Sequence, residues 1–239
     1  MLTTIKYSLQ RHSKYLFFNR SNSLRYLTAA PLIIILFVFS SSSWADFTIE
    51  DGVFVTSQQT LSSGETGTIN SGGGITTSAT AIAVSNASNI TVLNNGAITT
   101  SEDVSYGISV YQNSSSNGSA SPLTNNGTIT TSGLRSYAIR LFRNGGSVTP
   151  TNTGTITTSG QSGYGMYSID NSGTSTMTNS GTITTSGSSS WGIYLRTNSG
   201  TETITNSGTI TTSGFESRGI YSLSNSGTET ITNLSLIHI

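Results

Sequence analysis

The 239-residue chain contains no cysteine, only three prolines and two histidines, and 8% charged residues. An ordinary soluble domain carries about 25% charge. The absence of cysteine excludes a disulfide scaffold and thiol chemistry. The histidines are His12 and His238, and no lysine follows Lys14. Between Lys14 and His238, the Ser-His-Asp and Cys-His nucleophiles, His/Cys metal sites and Schiff-base lysines all lack a needed member. No cofactor motif is present. The Gly-rich turns are not phosphate cradles, because they lie between β-prone stretches with no following helix or lysine. Calcium-binding nonapeptide repeats need an aspartate in each turn, and Asp46, Asp51, Asp103 and Asp170 fall out of phase.

What is present divides in two. The formal net charge is zero, but the charges are segregated. Lys6, Arg11, Lys14, Arg20 and Arg25 lie in residues 1–45, which contain no acid. All ten acids follow, together with Arg135, Arg140, Arg143, Arg196 and Arg218. The first segment ends in the apolar run Ala29–Phe39 and then Ser43-Trp44-Ala45. A basic n-region, a short apolar h-region and small residues before Asp46 make a secretory signal peptide cut between Ala45 and Asp46. The alternative, a membrane anchor, needs about 20 apolar residues, which Ala29–Phe39 does not provide.

The second segment is one repeat, close to N-S-G-T-I-T-T-S-G-x-x-S-x-G-I-Y-x-x-x-N-S-G-T-x-T-I-T. Its first asparagine recurs at Asn125, Asn152, Asn179, Asn206 and Asn233, with Asn94 before them and a shorter unit from Ser71. This gives about six units. Each has three short stretches of Thr, Ile and Tyr divided by Asn/Ser/Gly turns, a pattern suited to strands. Three aliphatic columns stay in phase: Ile75, Ile98, Ile129, Ile156, Ile183 and Ile210; Ile82, Ile108, Ile139, Met166, Ile193 and Ile220; and Ile69, Val92, Leu123, Met177, Ile204 and Ile231, with Pro150 the exception. One coil cannot bury such positions alone, whereas coils stacked about 4.8 Å apart bury them as continuous lines. The expected fold is therefore all-β, a parallel β-helix of about six coils. Residues 46–68 are read as an N-terminal cap, residues 69–233 as the repeats, and residues 234–239 as a tail that abandons the pattern and is read as non-native or truncated. A disordered Ser/Thr/Gly/Asn linker is the alternative, but it has no reason to keep three columns in register. The Asn-Ser-Gly turns are expected to supply the positive-φ positions. The two asparagine lines, one of them Asn144, Asn171, Asn198 and Asn225, are expected to form side-chain ladders.

Two features carry candidate function. Ser109, Arg140, Tyr167, Tyr194 and Tyr221 alternate with inward positions and should face out. Tyr167, Tyr194 and Tyr221, with Arg196 nearby, form a candidate partner-binding surface, or else a stacking ladder that only stabilises the sheet. A second aromatic column, Tyr106, Tyr137, Tyr164 and Trp191, is expected to pack at a corner. Glu202 and Glu229 lie one repeat apart, near the separation of a retaining glycosidase pair, or else on a solvated outer face as a duplicated residue. The acid excess of the body argues against nucleic acid. Extra residues within 112–121 mark a loop that solenoids often use for binding and often merely tolerate.

The long basic signal, the lack of cysteine and coils such as NSGTITTSG resemble the passenger region of bacterial autotransporters and filamentous-haemagglutinin-like adhesins. The resemblance implies export by the Sec machinery, cleavage by signal peptidase, and passage through an outer-membrane β-barrel, either C-terminal or on a partner protein. It implies a secreted or cell-surface location and a role in adhesion or aggregation with host or self surface ligands. No alternating barrel strands occur in this sequence. The serine-protease members are not matched, because the passenger lacks the histidine. On this basis no catalytic residue is assigned.

Overall fold

The computed structural model describes residues 46–113, 120–235 and 237–238. The signal-peptide reading of residues 1–45, including Ala45, and most of the loop at 112–121 lie outside the described residues. Among the described residues no helix is long and apolar enough to cross a membrane.

The body is a parallel β-solenoid in which each coil contributes one strand to each of three sheets. The first sheet has eight strands: Phe47–Ile49, Thr66–Ile69, Thr91–Asn94, Ala120–Asn125, Ser147–Asn152, Thr174–Asn179, Thr201–Asn206 and Thr228–Asn233. The second runs from Phe54–Val55 through Gly74–Thr77, Ala97–Thr100, Thr128–Thr131, Thr155–Thr158, Thr182–Thr185 and Thr209–Thr212 to Ile237–His238. The third holds Gln59–Leu61, Ile82–Ser85, Tyr106–Tyr111, Tyr137–Phe142, Tyr164–Ile169, Trp191–Arg196 and Arg218–Leu223. Residues 46–68 also enter the three sheets, so the stack begins before the first full repeat.

The register explains the columns. Ile129 pairs with Ile98 and Ile156, and Ile183 with Ile156 and Ile210. Met166 lies between Ile139 and Ile193. These side chains have no exposed area, and burying each contributes about 1.5–3 kcal/mol. Ile237 continues the Ile210 column, because it pairs with Ile210 four residues after Asn233. Pro150 is buried in the third column opposite Leu123. Pairing from its strand to Thr174–Asn179 skips Thr149 and Pro150, consistent with the N–H that proline lacks.

The turns differ from expectation. Among the described residues only Gly52, Gly64 and Gly72 are positive-φ glycines. The left-handed positions are instead Val104, Arg135, Ser162, Ser189 and Glu216 between the second and third sheets, and Asn86, Asn89, Gln112, Arg143, Asp170, Thr197 and Ser224 after the third. The Asn-x-Gly glycine is needed for close approach: a Cβ on Gly154 would collide with the Gly127 carbonyl oxygen. The same clash recurs at Gly181 and Gly208, so each coil rests on the backbone below it.

Both asparagine lines form. In the first, each Nδ2 donates to the next Oδ1 at 2.7 Å, from Asn94 through to Asn233. In the second, Oδ1 of Asn144, Asn171, Asn198 and Asn225 accepts the backbone N–H of the asparagine one coil earlier, beginning with Asn113. A buried amide needs such partners to avoid a desolvation penalty.

Candidate functional site

The third sheet's outer face is built from five six-residue strands: YGISVY, YAIRLF, YGMYSI, WGIYLR and RGIYSL. Their third and fifth residues point into the core, leaving the first, fourth and sixth on the other side. In-register pairing stacks those positions from coil to coil. Tyr106, Tyr137, Tyr164 and Trp191 form one column with centroid separations of 5.2, 4.7 and 4.7 Å. Tyr167, Tyr194 and Tyr221 form a second at 5.0 and 5.5 Å. The columns meet edge to face: Tyr164 and Tyr167 at 5.1 Å, and Trp191 and Tyr194 at 4.2 Å. Both stacked and edge-on geometries suit the ring quadrupole, at about 0.5–1.5 kcal/mol per pair beyond burial.

This arrangement changes the exposure expected of the candidate surface. Tyr167 and Tyr194 face away from the aliphatic core, yet they are only 5% and 4% exposed because neighbouring rings cover them. Burial pushes the phenol of Tyr167 up, and that of Tyr164 up to about 12. The accessible aromatic surface is instead half-buried Tyr106, Tyr137, Trp191 and Tyr221. The column of Tyr106, Tyr137, Tyr164 and Trp191 opens four third-sheet strands, each directly after the turn from the second sheet. Its residues sit three positions before the tyrosines and form the wall against which those rings pack.

The arginines gather on the same face. The Arg140 guanidinium lies 4.7 Å from the Tyr106 ring and 4.4 Å from the Phe142 ring. Arg218 sits 4.1 Å over Tyr221. Arg196 is exposed, and its pKa is raised above the ordinary value, chiefly by Tyr167 and Tyr194 beside it. Arg143 packs on Phe142 at 4.7 Å and lies 3.9 Å from Asp170, which also accepts from Thr197. Arg135 occupies the left-handed corner entering this sheet, close enough to influence Tyr164. All five arginines after residue 45 therefore lie on the third sheet or its flanking turns. The sequence held the signal, since Arg140, Arg196 and Arg218 all fall inside the six-residue aromatic strand pattern, but at different positions in it.

The carboxylate pair has a different setting from the one expected. Glu202 and Glu229 do pair in register on adjacent strands. Glu202 is not on a solvated face: it is 1% exposed, inside the corner between the third and first sheets. Ser168 Oγ donates to its Oε1 at 3.2 Å, and Asn171 Nδ2 donates to Ser168 Oγ at 2.5 Å. Burial raises the Glu202 carboxyl to about 7, assisted by Glu229 and opposed by the hydroxyls of Ser175 and Ser168. Glu229 accepts from Ser222 Oγ at 2.6 Å and Asn225 Nδ2 at 3.1 Å. A carboxyl sealed in this way has no access to a glycosidic bond.

Among the described residues no group of three or more His, Cys, Asp or Glu is placed to hold a metal ion. An open hollow beside the corner before the third sheet is lined by Gln58, Thr80, Glu102, Asp103 and Ser105. Asp103 Oδ1 is already engaged by the Leu134 N–H at 2.8 Å.

The family model for the BigA third pectate lyase-like domain matches residues 38–239. The chain belongs to this family. It is thus a pectate lyase-like β-helix domain of a bacterial surface-protein family. No curated protein and no solved structure matches it significantly. In this BigA-type domain the coil stack is the described architecture, and the aromatic and arginine face is its most differentiated surface.

Proposed function

We propose that this BigA-type domain is a non-catalytic stalk and contact segment of an autotransporter-like surface adhesin. The observation that carries the reading is the third sheet, where stacked rings share one face with Arg140, Arg196 and Arg218, and Arg135 and Arg143 sit in its flanking turns. Aromatic residues and arginine are enriched at interfaces, where they combine apolar area with directional donors. The chain is exported by the Sec machinery, cut between Ala45 and Asp46, and displayed through an outer-membrane β-barrel. Tyr221 and Arg196, supported from below by Tyr167 and Tyr194, make contact with a host or self surface.

The glycan-cleaving alternative loses its carboxylate pair to the burial of Glu202. A matrix protein with no dedicated ligand remains the competing reading. The deciding experiment compares the processed chain with its Tyr221→Ser and Arg196→Gln variants for attachment to cells and to immobilised glycans. Attachment falling about fivefold or more with an unchanged melting curve supports the contact face; that factor is worth about 1 kcal/mol. Attachment unaffected by both substitutions, or absent from the parent, supports the matrix reading and overturns this one.

A further inference from the structure

We infer that two copies of this chain pair side by side and antiparallel along the corner between the second and third sheets, each inserting Phe215 into a hollow beside Val104 of the other. This corner is distinct from the outer face of the third sheet, and the inference does not rest on the contact role of that face.

The hollow follows from an irregularity of the repeat. Ile75, Ile98 and Ile129 stack in the second sheet, and Ile82, Ile108 and Ile139 stack in the third. The chain takes ten residues from Ile98 to Ile108 and again from Ile129 to Ile139, but only seven from Ile75 to Ile82. The earlier corner is therefore recessed beneath the later ones. It leaves an open hollow of about 340 Å³ between Ala79 and Thr80 on one coil and Asp103, Val104 and Ser105 on the next. Gln58 bounds it from the coil before, donating from Nε2 to the Thr80 carbonyl at 3.0 Å. Val104 is left 55% exposed at its rim.

The same corner carries a knob. Successive coils are joined there by the N–H groups of Arg135, Ser162 and Ser189, which donate to the carbonyls of Gln161, Ser188 and Phe215. Phe215 is 76% exposed, the most exposed large apolar side chain among the described residues. Its backbone is held: the bond from Ser189 is 2.7 Å long, and Ser217 Oγ donates to the Gly187 carbonyl at 3.1 Å. An aromatic side chain has about 150–250 Å² to bury, and such residues are enriched where partners meet.

Phe215 cannot fill the hollow of its own chain. Its coil lies four strand steps from that of Val104, roughly 19 Å along the axis. A second copy related by a two-fold axis at Gln161 brings each Phe215 over the other's hollow. One operation makes both contacts, as a self-complementary interface requires. The corner between them is slim, with Gly160, Ser162 and Gly163 at the axis and Gly187, Ser188 and Ser189 one coil on. Two such corners can approach closely.

Charge selects the antiparallel arrangement. Residues 46–113 hold six acids and no arginine, and all five arginines of the body follow. In a parallel pair, Glu102 and Asp103 would face their own copies, and Phe215 would meet Phe215. In the antiparallel pair, Arg218 comes beside Glu102 and Asp103, and Arg135 beside Glu216, all of them exposed. Among the described residues the one ion pair is Arg143 with Asp170, so these charges are available to a partner. Complementary placement of this kind fixes orientation more than it adds affinity.

The test is sedimentation of the processed chain at concentrations up to about 1 mM, the weak end of the affinity scale. A concentration-dependent dimer is expected. Phe215→Ser should weaken it about tenfold or more, as loss of an interface anchor does, while keeping the parent's melting curve. Arg218→Glu should weaken it too, and Glu102→Arg in the same chain should restore it. Orientation is read by cross-linking, since the chain contains no cysteine. Ala79 and Ser213 lie five strand steps apart in one chain, roughly 24 Å. A bis-maleimide shorter than that should join Ala79→Cys chains to Ser213→Cys chains when the two are mixed, and neither to itself. A monomer at every concentration overturns the inference, as does a dimer indifferent to Phe215→Ser. Cross-linking of either single variant to itself, or failure of Glu102→Arg to restore the Arg218→Glu dimer, overturns the antiparallel pairing. None of these outcomes bears on the contact face, which is read by cell attachment of the Tyr221→Ser and Arg196→Gln variants.

Discussion

Asn125 Nδ2 donates to Asn152 Oδ1 at 2.7 Å, and Asn152 Nδ2 repeats the bond to Asn179 at the same distance. All three residues are fully buried. The amide is thus a donor to the next coil and an acceptor from the one before. Asn152→Ala removes both roles and leaves polar groups on Asn125 and Asn179 without their partner. A destabilisation of about 2–3 kcal/mol follows from orphaning buried polar atoms. Chemical denaturation measures it, with Ser207→Ala in an exposed turn as the control, expected to stay within about 0.5 kcal/mol. Equal effects of the two substitutions would show that the ladder contributes nothing.

A second interior column is less well served. The hydroxyls of Thr100, Thr131, Thr158 and Thr185 are buried at the ends of second-sheet strands with no hydrogen-bond partner. Replacing such a hydroxyl by a methyl of the same shape removes an unsatisfied group. Thr158→Val should therefore stabilise the solenoid by about 1 kcal/mol. The exposed Thr130→Val on the same sheet should change little. A destabilised Thr158→Val protein would mean that the hydroxyl has a role in the stack.

The architecture is legible in the sequence because parallel in-register stacking demands the same kind of residue at the same place in every coil. Ile129, Ile156 and Ile183 announce the core, and Asn125, Asn152 and Asn179 the ladder. Three features depart from the sequence reading, each for a physical reason. Glu202 lies two residues before Ile204, so strand alternation already places it on the core side, but its charge argues for solvent. Only the neighbouring strand shows the Ser168 hydroxyl that donates to its Oε1, while its Oε2 is buried without a partner. Tyr167 and Tyr194 do lie off the core, but alternation cannot reveal that rings three residues earlier cover them. Glycine adopts positive φ most easily, which points to Asn-Ser-Gly for the left-handed turns. In this stack glycine serves backbone clearance instead, and Val104 or Arg135 takes the left-handed turn.

That exchange of roles is testable at two positions. Val104 has φ of 55° and is 55% exposed. A β-branched residue in the left-handed region costs roughly 1–2 kcal/mol, and asparagine tolerates it far better. Val104→Asn should raise stability by about 1 kcal/mol, since the valine side chain is exposed and leaves the core packing intact. Gly154→Ala, whose φ is ordinary, should lower it by more than about 2 kcal/mol because its Cβ meets the Gly127 carbonyl in a backbone stack that cannot relax cheaply. If both substitutions were neutral in a thermal melt, the assignment of strain and clearance would be wrong.

The buried carboxyl makes stability depend on pH in an unusual direction. Glu202 titrates near 7 in the folded protein against an ordinary value of 4.5, chiefly because burial disfavours its charge; Glu229 adds to the rise, while Ser175 and Ser168 oppose it. A raised folded pKa means that the native state holds the proton more tightly than the unfolded chain. Its contribution is complete below 4.5, declines as pH rises, and is gone above about 7. By linkage the loss across that window is roughly 3 kcal/mol. Glu202→Gln keeps a neutral, hydrogen-bonding side chain at every pH. The difference in unfolding free energy between parent and variant should therefore be nearly constant at low pH and shift in favour of the variant between about pH 5 and pH 7 by that order. Amide protection in the Ser168 and Ser175 strands, taken relative to the intrinsic exchange rate, should fall at about pH 8 in the parent only. Parallel pH curves for the two proteins would show that Glu202 does not titrate in the coil.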